Sequence, residues 1–359
     1  MKTHVILQGV MHGERLGAEE AVLLLQEADL LELGRASDAG CRKKHSDGIV
    51  TFLIDRNINY TNICRNRCSF CAFYRTKDDA DAYVLSREEI EKKVAETLEL
   101  SGTQVMLQGG INPDLKLSYY LKMFREIKKK FNIRIHSLSP PEIIFIAESE
   151  GLSVRDALKE LIQAGLDSLP GGGAEILVDR VRERISPRKI SSAQWLGVME
   201  EAQKLGLKTT ATMMFGTVET AADRISHLQK IRDLQDRTGG FMSFIPWTFQ
   251  PGNTALGGRP VSSIEYLKML AISRLFLDNF HNVQGSWVTQ GKDIGQVCLS
   301  FGANDLGSIM IEENVVRAAG ISHRITVEEM VDLIRKAGKV PAQRDTEFNL
   351  LKVYEPDKK

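Results

Sequence analysis

The sequence has no apolar run approaching the roughly 18 residues that a membrane-spanning helix requires, so no span is expected. An excess of either charge is also missing, since Lys and Arg together number 47, as do Asp and Glu. A nucleic-acid binder needs a clustered basic excess, and that class is set aside. Cysteine is scarce, with five in 359 residues, too few and too unevenly placed for the disulfide framework of a small secreted domain. Residues 1–26 carry His12, Glu14, Arg15, Glu19 and Glu20, which interrupt any apolar stretch that a signal peptide needs. A cytoplasmic protein is expected. What is present is 43% apolar residues, enough for a large core, in a length that a single barrel domain can carry.

Three of the cysteines fall close together, as Cys64-x-x-x-Cys68-x-x-Cys71. Thiolates so spaced on one tight loop can converge on an inorganic centre, and soft sulfur ligands select zinc, copper(I) or iron–sulfur clusters. The interleaved Arg65, Asn66, Arg67 and Ser69 make simple apolar packing of these thiols a poor fit. Structural zinc and ferredoxin clusters are normally closed by four protein ligands. Here the local set stops at three, and Cys41 and Cys298 stand far off in sequence. A [4Fe-4S] cluster on three cysteines leaves one iron open to a substrate or cofactor. The competing reading is a redox sensor that recruits Cys41 or Cys298 as a fourth ligand.

Around this loop the sequence alternates. Residues 18–33 have helical apolar spacing, followed by a charged linker through His45, and residues 49–54 read as a strand leading into the cysteines. Ser86-Arg-Glu-Glu89 is a capping box that opens a helix to about Leu100. Strand-like runs at 103–107, 133–136, 166–168, 208–214, 241–245, 282–284 and 305–308 are separated by helical patterns, among them 175–184 and a last one at 327–336. Eight such units predict a (β/α)8 TIM-type barrel. The division expected is an N-terminal helical extension at 1–48, the barrel at 49–345 and a polar C-terminal tail at 346–359. A six-unit partial barrel with the last third packed outside is the alternative.

In such a barrel, residues just after each strand surround the active site. His136 and Glu142 follow the third strand and are candidates for proton transfer or substrate contact. Ser168 and the run Gly171-Gly172-Gly173 precede Glu175 and Arg180. Glycines before a helix expose amide donors, and Ser168, Glu175 and Arg180 suit the hydroxyls and carboxylate of a nucleotide-like cofactor. Trp247, Gln250 and Asn253 after the sixth strand, with Trp287 after the seventh, supply aromatic faces and amides for a flat ring. Ser137 joins them as a substrate-binding candidate.

The cysteine loop resembles the signature of the radical S-adenosylmethionine (SAM) superfamily, Cys-x-x-x-Cys-x-aromatic-Cys, with Phe70 in the aromatic slot. The resemblance implies a [4Fe-4S] cluster on Cys64, Cys68 and Cys71, with SAM on its open iron. Gln108, Gly109 and Gly110 stand where the superfamily has Gly-Gly-Glu, which holds the SAM amino group, although Ile111 replaces the Glu. The segment from Thr212 to Glu219 resembles the adenine-reading motif, with Met214 in its apolar position. Longer strings, His136-Ser-Leu-Ser-Pro-Pro and Trp247-Thr-Phe-Gln-Pro-Gly-Asn among them, resemble the radical SAM enzymes of the futalosine route to menaquinone. They are closest to those that cyclise dehypoxanthine futalosine. The resemblance runs from about Ile49 to Glu347. It implies that small-molecule substrate, hydrogen abstraction at ribose C4′, closure onto a benzoate ring, and an electron donor such as flavodoxin or ferredoxin. Aminofutalosine synthase is the rival within the group.

Overall fold

The computed structural model describes residues 2–355; Met1 and the last four residues of the expected tail lie outside the described residues. The strands in chain order are β1 (Ile49–Leu53), β2 (Asp55–Ile58), β3 (Gln104–Leu107), β4 (Arg134–Ser137), β5 (Ser168–Leu169), β6 (Lys208–Phe215), β7 (Phe241–Thr248), β8 (Asn282–Val283), β9 (Asp305–Ser308), β10 (Val340–Arg344) and β11 (Leu350–Val353). Seven of them, β2 to β8, form a parallel sheet in sequential order. β9 then closes the ring. On one side Asn304 N–H donates to the Val283 carbonyl at 3.1 Å and Gly285 N–H to the Asp305 carbonyl at 2.8 Å. On the other side β9 pairs with β1, and Ile309 and Ile311 N–H groups donate to Leu53 and Asp55 carbonyls. The residues 49–58 thus act as one strand split at Ile54. Its first half lies between β9 and β10, and its second half pairs with β3. The result is a TIM-like barrel with all eight expected strand positions, not a six-unit fragment.

Alternation within these strands explains the architecture. Val105, Leu107 and Ile135 turn outward and are fully buried under helices. Asp55, Asn57, Gln104, Met106 and His136 turn inward and line a cavity. Capped helices form the outer layer. In Val154–Ala164, for instance, Ser153 accepts the Asp156 N–H and Gly165 ends the helix at φ +119°, while Ala157, Leu158, Leu161 and Ala164 are buried. Truncating Leu161 to Ala would cost about 2–5 kcal/mol of that packing.

Several expectations are corrected. The first helical stretch is three helices, α1 (Lys2–Met11), α2 (Ala18–Glu27) and α3 (Leu30–Lys44). The expected break at a charged linker does not occur, because Asp29 caps a new helix by accepting from Leu31 and Glu32 N–H groups. The connector between α1 and α2 ties them to the barrel: Arg15 pairs with Asp236 and Asp278, and Arg232 donates to the Leu16 carbonyl. The helix expected at 175–184 starts only at Asp179, and Glu175 sits before it at φ +41°. The polar tail carries β11, which pairs antiparallel with β10. β10 itself was not expected, since its second residue is Pro341 and proline usually argues against an inner strand.

Candidate active site

The cysteine loop leaves β2 at the barrel's C-terminal end and is tied down on every side. Cys64 N–H donates to the Arg75 carbonyl and Arg65 N–H to that of Ile111, while Ser69 N–H and Oγ both donate to the Ile185 carbonyl at 2.9 Å. The Arg75 guanidinium gathers the carbonyls of Ala72, Phe73 and Tyr74 and pairs with Asp81. Arg67 turns through φ +46°, which folds the backbone back between the first two cysteines. Cys64, Cys68 and Cys71 are all free, Cys68 being buried. Burial pushes the Cys68 thiol up to about 12 and raises Cys71 as well, so a soft metal has to displace the protons. Free, soft donors on one anchored loop have the chemistry of an iron–sulfur ligand set, but among the described residues no three His, Cys, Asp or Glu side chains are gathered as a bound metal would gather them, so cluster binding has to draw the three thiols together. Cys41 and Cys298 are packed in the core, Cys41 against the Ala303 carbonyl and Cys298 against Gly285.

Two glycine turns flank the loop. A side chain at Gly110 would meet the Ile63 carbonyl oxygen at 2.3 Å, and one at Gly109 would meet the Tyr60 ring at 2.7 Å. Only glycine lets this turn press against the cysteine loop. Beneath it, Glu142 is buried and accepts from Tyr60 Oη at 2.5 Å, from Gly109 N–H at 3.3 Å and from Ser139 Oγ. Burial raises Glu142 to about 7, against the pull of these donors. Its carboxylate supports the turn and does not line the cavity. Gln108, one residue earlier, does line it.

The second turn, Gly171 to Gly173, is held by Arg182, which donates to the Gly173, Ala174 and Ile190 carbonyls. Glu175 Oε1 accepts from Lys189 Nζ at 2.6 Å, while Oε2 has no hydrogen-bond partner among the described residues. Lys189 also lies 5.2 Å from the Phe70 ring centroid. Burial lowers its pKa, but the neighbouring Glu175 and Cys68 more than offset this and raise it. The Met214 N–H donates to the Glu175 carbonyl; the Met214 side chain is buried outside the cavity.

The cavity has a volume of about 290 Å³ and runs down the barrel axis. Of the rim residues expected around it, His136, Glu175, Trp247 and Trp287 are there. Glu142, Ser168, Arg180 and Gln250 are not. Ser168 Oγ shares a 2.7 Å hydrogen bond with His136 Nδ1. Burial, with help from Arg344, lowers His136 to about 3, so its ring is neutral. Arg180 is exposed and paired with Asp223, because the helix begins too late to aim it inward. Gln250 donates to Thr248. Ser137, one residue beyond His136, faces the opposite side of β4 and donates to the Leu107 carbonyl at 2.6 Å. Asn253 is at the surface at φ +56°, donating to the Ala318 carbonyl at 2.9 Å. There it fastens the turn whose Val315 and Val316 line the cavity.

Lys189, Asp55 and Glu313 escaped the sequence reading. Glu313 lines the cavity and accepts from the Val315, Val316 and Arg317 N–H groups. Polar residues alternating within buried strands, Asp55 with Asn57 and Gln104 with Gln108, were a usable signal. Nothing local marked Lys189.

Comparison with known proteins agrees with this geometry. Residues 58–231 match the Radical SAM superfamily and residues 238–356 the CofH/MqnC C-terminal region. The chain is 47% identical over 352 residues to the cyclic dehypoxanthine futalosine synthase of Halalkalibacterium halodurans, covering 98% of this chain and 95% of that one. It is 49% identical over 355 residues to the synthase of Streptomyces coelicolor, covering 98% and 89%. It is also 42% identical over 314 residues to 5-amino-6-(D-ribitylamino)uracil--L-tyrosine 4-hydroxyphenyl transferase of Methanopyrus kandleri, covering 85% of each. Methylornithine synthase (PylB) shares the fold at TM-score 0.73 and 20% identity, over 94% of this chain and 97% of that one. The hydrogenase maturase HydG of Carboxydothermus hydrogenoformans shares it at TM-score 0.76 and 18% identity, over 96% and 80%. The chain belongs to the radical SAM superfamily, in the group of the cyclic dehypoxanthine futalosine synthases and their CofH/MqnC relatives.

Proposed function

We propose that this chain is a cyclic dehypoxanthine futalosine synthase of menaquinone biosynthesis. The observation that carries the reading is the cavity of about 290 Å³ inside the barrel, in a chain nearly half identical to two such synthases along almost its whole length. A [4Fe-4S] cluster with SAM would supply, when bound, a 5′-deoxyadenosyl radical. Cys64, Cys68 and Cys71 hold the cluster. The Gly109–Gly110 turn with Gln108 would take the amino-acid end of SAM, and Glu175, after the second glycine turn, its ribose. Phe70 and the backbone at Met214 complete that seat.

In the substrate a hydrogen atom leaves ribose C4′, the carbon radical closes on the benzoate ring, and loss of one electron and one proton restores aromaticity. The residues of the barrel have to exclude water from these steps and hold the ring against C4′. Trp247 and Trp287 form the apolar wall for the benzoate, and His136, held neutral by burial and oriented by Ser168, offers the substrate a hydrogen-bond partner. A protein electron donor such as flavodoxin or ferredoxin is part of the reading, as is a cytoplasmic location. No helix among the described residues is long and apolar enough to cross a membrane.

Dehypoxanthine futalosine deuterated at C4′ tests it. The expected products are 5′-deoxyadenosine carrying one deuterium, and the cyclised product. Unlabelled 5′-deoxyadenosine, or adenosyl carbon retained in the product, would rule out the cyclase and favour aminofutalosine synthase.

A further inference from the structure

Three neighbouring segments clamp the cysteine loop, and exposed cations gather around it. Arg65 N–H donates to the Ile111 carbonyl at 2.9 Å, Ser69 N–H to that of Ile185 at 2.9 Å, and Leu256 N–H to that of Ser69 at 2.8 Å. Lys116, Arg188 and Arg259 follow these three anchors closely and are exposed, as are Arg65 and Arg67 in the loop itself. Three residues of chain reach at most about 11 Å, which keeps the backbone of Arg188 and Arg259 beside the loop. Lys116 is placed independently: its ammonium and the Arg65 guanidinium both face the Phe145 ring, 6.0 and 5.6 Å from the centroid.

These charges are left for something outside the chain. Exposed arginines elsewhere, such as Arg15, Arg87, Arg134 and Arg180, are paired with carboxylates, whereas among the described residues none of these five is. None of them lines the cavity. The stretches 64–71, 111–116, 185–189 and 254–259 contain one carboxylate, Asp114. The balance turns acidic only past Arg75, at Asp78, Asp79 and Asp81, which gives the basic face an edge. In a chain with 47 basic and 47 acidic residues, such an excess in one place creates a positive potential that steers an anionic partner.

We propose that this face is the docking surface for an acidic one-electron carrier protein, which reduces the cluster held by the loop. It rests on the cluster and electron-donor reading given above, and not on the identity of the substrate. Arg65 and Arg67 stand directly beside Cys64 and Cys68 in sequence, so a carrier seated on them brings its redox centre close to the ligand thiolates. The barrel side of the loop belongs to SAM and substrate, which leaves the outward side for a protein. In the step itself one electron leaves the carrier, a reduced flavin or iron–sulfur centre, and enters the cluster; no bond forms or breaks. Small carriers of this class have acidic surfaces, and complementary charge sets the rate and orientation of their encounter.

Anaerobic stopped-flow reduction of the cluster-loaded enzyme tests it, read by the loss of cluster absorbance, with reduced flavodoxin and dithionite as the two reductants. With flavodoxin the wild-type rate should fall at least about tenfold as ionic strength is raised from low to above physiological. The triple variant Lys116→Glu, Arg188→Glu, Arg259→Glu should accept electrons from flavodoxin about tenfold to a hundredfold more slowly at low salt, and lose most of the salt dependence. Its iron content and its reduction by dithionite should stay within about threefold of the wild type, because a small reductant needs no docking face. Arg188→Lys, which keeps the charge, should keep the flavodoxin rate. Should the triple variant not load a cluster, Lys116→Glu alone decides by the same comparison. A charge-reversed enzyme that takes electrons from flavodoxin as fast as the wild type, or a wild-type rate indifferent to salt, overturns the docking surface and leaves the cations as solvated surface or a seat for another polyanion. A wild type that dithionite reduces and flavodoxin does not overturns it as well. An enzyme that loads no cluster overturns the reading beneath it; the deuterium-transfer test, run with dithionite, is untouched by every other outcome.

Discussion

Two buried glutamates flank the cysteine loop and are held in opposite ways. Glu142, under the Gly109 turn, is surrounded by two hydroxyls and an amide, and among the described residues no cation pairs with it. Glu175, after the second glycine turn, has the Lys189 ammonium at 2.6 Å and one oxygen without a partner among the described residues. A carboxylate saturated by neutral donors is scaffold, and burial makes it responsive to pH near neutrality. A carboxylate neutralised by one ammonium, with its second oxygen buried and unpartnered among the described residues, is fixed by that pair at the cavity wall. The same residue type thus serves two ends, decided by which neighbours the fold delivers.

The comparison collapses altogether if the loop between the two turns loses a ligand. Cys64→Ala, Cys68→Ala or Cys71→Ala should each abolish the iron–sulfur absorbance and all turnover, whereas Cys41→Ala and Cys298→Ala should retain the cluster; iron analysis and EPR decide. Next in size is the buried pair. Glu175→Ala or Lys189→Met should each cost about 3–5 kcal/mol by stranding the other charge. The double variant Glu175→Gln with Lys189→Met should recover most of that stability, yet bind SAM at least tenfold more weakly than the wild type. Calorimetry for stability and titration for SAM separate the two effects.

Glu142 sharpens the contrast through pH. Its folded pKa of about 7 lies above the ordinary carboxylate value near 4.3, so between those values the folded state binds more protons than the unfolded one. Its stabilising contribution is therefore full below the lower value and lost as pH rises through 7, at up to about 1.4 kcal/mol per pH unit. Glu142→Gln should flatten that slope in thermal melts between pH 5 and 8. Smallest of all, Arg180→Ala removes an exposed pair with Asp223 and should cost under about 1 kcal/mol, with SAM affinity unchanged.

How much of this was legible depended on how local the cause was. The cluster ligands were readable because their chemistry lies in one short spacing. The eight strands were readable because each is a short run bounded by caps such as Ser86 with Glu89. Facing was harder: His136 lines the cavity and Ser137 does not, and one residue of register separates them. Lys189 stayed hidden because its importance comes from Glu175 and Cys68, which only tertiary packing brings to it. Glu175 itself was found, but its element was misjudged, since a positive φ at a non-glycine residue leaves no mark in composition. β10 was missed because Pro341 sits in a strand that is reinforced by β1 on one side and β11 on the other.

That last pairing bears on how the protein comes off the ribosome. Ile49 pairs with Val340, and Thr51 with Asp305, so the strand that leads into the cysteine loop gains these two neighbours only after most of the chain has been synthesised. Contacts so distant in sequence form slowly. The nascent chain therefore exposes its three thiols well before the barrel wall behind them exists. Cluster insertion into a finished, anchored loop is thus expected after release, and iron incorporation should lag behind synthesis in a pulse-labelling experiment.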